Sequence, residues 1–231
     1  MSLLLQIQTV PDNLTNPEIT EKTLSVVDLI TSGGIGGNLV MGALGILSIF
    51  AIYILIERFS AIKKASKEEE NFLKSIQNFV EAKDIEAAKT LCRNTDSPIS
   101  RMIEKGVNRI NKPMTDISAA IENQGKLEVF KMENNLANLA TISGAAPMIG
   151  FLGTVIGMIV AFHEMASAGG NIDVEMLSKG IYTAMTTTVA GLIVGIIAFI
   201  AYNYLVSKVD KVVFMLEAKT TEFLDLLHHN E

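Results

Sequence analysis

ATISGAAPMIGFLGTVIGMIVAF, residues 140–162, runs for 23 residues without an Asp, Glu, Lys, Arg or His. Two other stretches share that property, 39–56 and 181–206. At helical rise the first of these, 18 residues, is about 27 Å long, close to the roughly 30 Å hydrocarbon core of a bilayer. The other two are longer and span with some tilt. In lipid each must be helical, because nothing there satisfies free backbone groups. The reading is an all-α integral membrane protein with three transmembrane helices, at 38–56, 140–162 and 181–206.

Composition agrees. The chain has 231 residues, 19% charged, and a mean hydropathy of +0.36, too apolar for an ordinary soluble domain and too polar to be all membrane. A net charge of −6 and the lack of long basic runs exclude a nucleic-acid partner. Cys92 is the only cysteine, so no internal disulfide forms. The start, MSLLLQIQTV, has no basic n-region and is not read as a cleaved signal peptide. Without Trp, an aromatic belt rests on Tyr53, Phe59, Phe162, Tyr182, Tyr202 and Tyr204, all near span ends.

Lys and Arg are unevenly placed. One falls in 1–38, 14 in 57–139, one in 163–180 and three in 207–231. The positive-inside rule puts 57–139 and 207–231 in the cytoplasm, with the N-terminus and the loop 163–180 outside, in the periplasm of a Gram-negative host.

Residues 1–37 read as an external arm, either a mobile leader or a docking element. It ends in a short amphipathic interfacial helix at 24–30 and a glycine hinge at Gly33, Gly34, Gly36 and Gly37. Residues 57–139 read as a cytoplasmic helical region. Ser66 and Glu69 fit a capping box, and Phe72, Ile76, Phe79 and Val80 follow at helical spacing. Asp84 caps a second helix, and 99–110 reads as a third. From Thr115 a long helix is expected to lead directly into the second span. After the third span, Val209, Val212, Val213, Leu216, Phe223, Leu224 and Leu227 continue the period into a C-terminal helix, 207–231.

The spans are small and polar on particular faces. Pro147, Gly150, Gly153, Gly157, Gly191 and Gly195 are the candidate helix-packing residues, because helices in lipid associate by close approach rather than by a water-driven force. At 100° per residue Ala184, Gly191, Gly195 and Ala198 share one side of the third span; Thr183, Thr186 and Thr187 share an adjacent side, and Thr188 lies nearer the small residues. Together with Thr154, these hydroxyls read as the wall of a polar lumen. The competing reading is that each Thr bonds its own i−4 carbonyl and does nothing else. Pro147 reads as a kink near the cytoplasmic end. His163-Glu164 reads as an interfacial pair, His228-His229 lacks the further ligands of a metal site, and Cys92 reads as a small buried residue.

Residues 145–158, AAPMIGFLGTVIGM, resemble the AP-x-x-G-x-x-GTV-x-G-M signature of the MotA/TolQ/ExbB proton-channel family. The run from Gly180-Ile181 through Thr188, then Gly191-Leu192 and Tyr202-Asn203, is similar to that family's third span, and Ile56-Glu57-Arg58 also matches. The similarity covers about residues 24–220. Three spans fit the ExbB and TolQ branches rather than the four-span MotA type, and the long N-terminal arm leans towards ExbB.

The resemblance implies a homo-oligomeric ring, usually a pentamer, threaded by two copies of an ExbD- or TolR-like single-span partner whose aspartate relays the ion. It further implies work on the outer membrane through a TonB- or TolA-like protein. Thr154 and Thr188 match the family's pore-lining threonines; with Thr183 and Thr187 they are the candidate ion-pathway residues. Many relatives carry glutamate where this chain has Thr183. Hydroxyl and carbonyl oxygens also suit a hard cation, so the translocated ion is H⁺ or Na⁺.

The leading expectation is therefore a non-enzymatic subunit of an inner-membrane ion-driven motor, with no cofactor or bound metal. A TolQ-like or gliding-type stator, or a passive membrane scaffold, is the alternative. An intramembrane enzyme would need catalytic side chains in or beside the spans, and none are so arranged.

Overall fold

The computed structural model describes residues 34–66, 71–167 and 174–229. Among the described residues there are seven helices and no strand. Three carry the apolar stretches: α1 (Gly34–Ala65), α6 (Leu136–Ser167) and α7 (Val174–His229). Between α1 and α6 lie α2 (Phe72–Glu81), α3 (Ile85–Asn94), α4 (Pro98–Val107) and α5 (Met114–Glu133). The chain is thus an all-α membrane protein with three helices long and apolar enough to cross a bilayer. The 56 residues of α7 rise about 84 Å, far more than the roughly 30 Å hydrocarbon core. Its far half is the spine on which the short helices pack.

Local chemistry explains the short helices. Asp84 accepts at 3.0 Å from the Ala87 amide and starts α3. Ser97 and Ser100 form a reciprocal capping box, with Pro98 opening α4. The capping box expected at Ser66 and Glu69 lies partly outside the described residues. Ser66 itself sits past the end of α1 and donates to the Lys63 carbonyl at 3.2 Å. The helix expected over 99–110 stops at Val107, and 108–112 turns back on itself through amide bonds such as Lys112 to Arg109 O, 2.8 Å.

Three expectations are corrected. The long helix from Thr115 does not run unbroken into the second span. It breaks at Asn134 and Asn135, with Asn135 at φ 64°; a short amide side chain tolerates that left-handed conformation where others are strained. Gly34, Gly36 and Gly37 are not a hinge but the first turn of α1. The missing side chain of Gly36 lets α1 approach its neighbour, because a Cβ there would stand 2.9 Å from Ile156 Cγ2; Gly33 and the interfacial helix expected at 24–30 lie outside the described residues. The loop expected over 163–180 is helical at both ends, because α6 continues to Ser167 and α7 begins at Val174.

From the end of its apolar stretch onward, α7 buries Leu205, Val209, Val212, Leu216, Phe223 and Leu227, a helical stripe that organises the core outside the spans. Phe223 is fully buried, and the space beside it exists because Gly106 has no side chain; a Cβ there would meet Ile121 Cδ1 at 2.7 Å and Phe223 Cε1 at 2.9 Å. Cys92 is buried in the same core.

Candidate functional site

The site grows from the seam between α6 and α7. Gly150 and Gly191 face each other so closely that a Cβ on Gly191 would lie 2.6 Å from the Ala146 carbonyl oxygen and 2.9 Å from the Gly150 Cα. A Cβ on Gly150 would lie 2.7 Å from the Thr187 carbonyl oxygen. The contact continues in both directions. Gly157 meets Ala184, and Gly195 receives the Pro147 ring, whose Cγ would be 2.6 Å from an added Cβ. Small residues from the two spans thus pair with each other within one chain, and the two backbones come within reach of each other's side-chain hydroxyls.

That proximity sorts the threonines. Thr154 on α6 and Thr188 on α7 bond hydroxyl to hydroxyl. Thr154 Oγ1 also reaches the Ala184 carbonyl at 3.1 Å, and Thr188 Oγ1 the Gly150 carbonyl at 3.1 Å. Each hydroxyl has one hydrogen and can accept as well. The bonded chain between the two carbonyls therefore has two directions, interchanged by rotating two hydroxyls without moving a heavy atom. Both threonines are half-buried.

Thr187 is different. It is 2% exposed, its hydroxyl donates towards Ala184 O at 2.7 Å and Gly150 O at 3.1 Å, and it fills the space beside Gly153. Thr183 is buried near the start of α1, with its Cγ2 3.7 Å from where a Gly37 Cβ would be. Thr186 bonds the Tyr182 carbonyl four residues back, at 3.0 Å. The sequence grouping of Thr183, Thr186 and Thr187 on one side thus divides into two buried side chains, Thr183 and Thr187, and the half-buried Thr186. Sequence spacing put Thr188 apart, whereas the structure joins it to Thr154.

A second arrangement was not legible as a site. Arg58, 8% exposed, donates from Nη1 to the Lys131 carbonyl at 3.0 Å and pairs through Nη2 with Glu57. Glu57 also accepts from Asn135 Nδ2 at 3.5 Å. The Glu57-Arg58 pair at the end of the first span therefore clasps the break between α5 and α6. The available signal was a charged pair directly after an apolar run, together with the Asn134-Asn135 dipeptide.

Further along α5, Glu128 is 2% exposed and accepts from Arg101 Nη2 at 2.8 Å, Lys131 Nζ at 2.9 Å and Gln124 Nε2 at 2.8 Å. Burial pushes its carboxyl up, but the bonds from Arg101 and Lys131 outweigh burial and hold it below the ordinary carboxylate value. Burial, with Glu104 adding to it, pushes the Cys92 thiol up to about 12. Among the described residues no group of three His, Cys, Asp or Glu side chains is gathered to hold a metal.

Residues 94–218 match the MotA/TolQ/ExbB proton channel family. A putative biopolymer transport protein ExbB homolog of Methanothermobacter thermautotrophicus is 26% identical over 187 residues, 80% of this chain and 64% of that protein. The Tol-Pal system protein TolQ of Pseudomonas aeruginosa is 24% identical over 223 residues, 92% of this chain and 96% of that protein. The biopolymer transport protein ExbB of Helicobacter pylori is 40% identical over 79 residues, 34% of this chain and 54% of that protein. The match thus spans less than two thirds of the first and third relatives and nearly all of the second. With more than half its length matched, and with its spans packed through the glycines of that match, this chain belongs to the MotA/TolQ/ExbB proton channel family.

Proposed function

We propose that this chain is the ring-forming subunit of an ExbB-like ion-driven motor in a bacterial inner membrane, and that it forms a neutral wall along which a partner's carboxylate carries the ion. The observation that carries this reading is the Thr154–Thr188 hydroxyl pair, set between two backbone carbonyls in spans that contain no Asp, Glu, Lys, Arg or His. A buried charge in lipid is functional by default. Here the spans have none, so the charge comes from a second polypeptide. An ExbD- or TolR-like single-span protein is that polypeptide, two copies within a ring of five. The ring turns the ion gradient into mechanical work on a TonB- or TolA-like protein.

One chain leaves most of its span surface to neighbouring subunits or lipid. Only 22%, 22% and 28% of the most apolar part of the three candidate spans is buried within it. The distribution of Lys and Arg supports an external N-terminus and a cytoplasmic C-terminus. H⁺ and Na⁺ both fit a hydroxyl and carbonyl wall, and current measured with each ion alone separates them. TolQ-like or gliding-type stator work is the alternative within the family. A passive scaffold is the alternative outside it, and Thr187, whose hydroxyl is bonded inside the helix seam, is the residue that favours it.

The test is the pair Thr154→Ala and Thr188→Val in the assembled complex. Loss of gradient-driven work with the oligomer intact supports the channel wall. Weakened assembly with work per complex unchanged supports the scaffold.

A further inference from the structure

At the ends of the apolar stretches of the first and third spans, α1 and α7 enclose an open groove of about 390 Å³. Its floor is apolar, formed by Ile62, Leu205, Val212 and Met215. Its rim carries Lys63, Lys208 and Lys211, and among the described residues no acidic side chain lines it. The other large grooves differ in this respect. The one between α5 and α7, about 590 Å³, is rimmed by Glu122, Glu133 and Glu217, with Lys126 the only cation among the described residues that line it.

Depth in the membrane supplies a second constraint. Lys208 and Lys211 lie about 3 and 8 Å past Val206, and Lys63 about 10 Å past Ile56, measured along the helices. The headgroup layer begins where the hydrocarbon ends and is about 5–8 Å thick on each side, within reach of long lysine side chains. The rings of Phe59 and Tyr204 stack at 6.3 Å at the same level, and Lys208 Nζ stands 5.4 Å from the Tyr204 centroid. Aromatic rings at this depth mark an interface. An apolar floor below a ring of cations, opening at headgroup depth, is complementary to an amphiphile with a negative head.

We propose that this groove binds an anionic glycerophospholipid of the surrounding bilayer, one acyl chain on the Ile62–Leu205 floor and the phosphate between Lys63 and the Lys208–Lys211 pair. Basic pockets between membrane helices take such headgroups. The site is separate from the Thr154–Thr188 pair and does not require ion conduction.

The full chain is assembled in nanodiscs of equal phosphatidylglycerol and phosphatidylcholine, extracted in mild detergent, and its retained lipid counted by native mass spectrometry. The wild type should retain phosphatidylglycerol over phosphatidylcholine. In Lys63→Gln/Lys208→Gln/Lys211→Gln that preference should fall by up to about fivefold per lysine, with phosphatidylcholine retention and the thermal midpoint unchanged. A control, Lys105→Gln/Lys112→Gln/Lys126→Gln, should keep the wild-type preference. Equal preference in the wild type and the groove variant overturns the site, and so does an equal fall in the control. Efficient disulfide formation between copies carrying Lys63→Cys and Lys211→Cys would mean that a second copy seals the groove, which also overturns the proposal.

Discussion

Thr154 and Thr188, on different spans and 34 positions apart, share a hydroxyl–hydroxyl bond, and each also reaches a backbone carbonyl of the opposite helix. A neutral hydrogen bond of this kind contributes only about 1 kcal/mol to stability. Removing one hydroxyl should therefore leave the fold intact and act on ion movement. Thr154→Ser keeps the oxygen and should keep most gradient-driven activity, whereas Thr154→Ala and Thr188→Val should lower it by at least about tenfold. Activity per assembled complex, measured beside oligomer mass, checks this.

The glycine seam predicts a graded stability series. Gly191→Ala and Gly150→Ala drive a methyl against backbone, at 2.6 and 2.7 Å from carbonyl oxygens, and backbone cannot move aside as a side-chain tip can. Each should cost about 1–3 kcal/mol, read as a lower thermal midpoint in detergent. Gly42→Ala, with nothing within 4 Å, should leave the midpoint of the isolated chain within about 0.5 kcal/mol of the wild type.

At the α5–α6 break, Asn135 has φ 64°. Asn135→Ala should cost about 1 kcal/mol, and Asn135→Gly, free of that penalty, should be the milder change. Arg58→Ala should remove about 1.5–3 kcal/mol of charge-assisted bonding and speed amide exchange over 131–136. Arg58→Lys should not restore protection, because a single ammonium cannot span the Lys131 carbonyl and Glu57 as the guanidinium does.

Much of this architecture could be read from residue order. The three uncharged runs locate the spans because lipid admits only helix there, and Asp84 announces its cap. The α5–α6 break escaped because the apolar period continues on both sides of it; the backbone angles of Asn134 and Asn135 show the interruption. The Ser97–Ser100 box escaped because its third position is Ser rather than Glu. The threonine wall was half legible. Angular spacing on one helix groups Thr183, Thr186 and Thr187, but the partner helix decides which are covered, and Gly150 and Gly153 take Thr187 into the seam. Spacing within α7 gives no information on what α6 presents to Thr188.

Glu128 gives the acid limb of stability a defined sign. Its folded carboxyl titrates below the ordinary value of 4.5, so its contribution is present above that pH. It is lost as pH falls through 4.5 and on through the folded value. Glu128→Gln should be less stable at neutral pH and lose less stability on acidification, as unfolding at stepped pH would show.

With its thiol pushed up to about 12 by burial, Cys92 should resist maleimide at neutral pH and react only on unfolding. Labelling that matches free cysteine in the native state would contradict its place in the core.

With an electrically neutral wall, the ion carrier must lie on another chain. Gradient-driven ion flux in liposomes tests it most directly, with this chain alone and then with a single-span partner bearing one membrane aspartate. Flux for the chain alone should stay close to that of empty liposomes, and flux with the partner should disappear when its aspartate becomes asparagine. Strong flux through the chain by itself would contradict it.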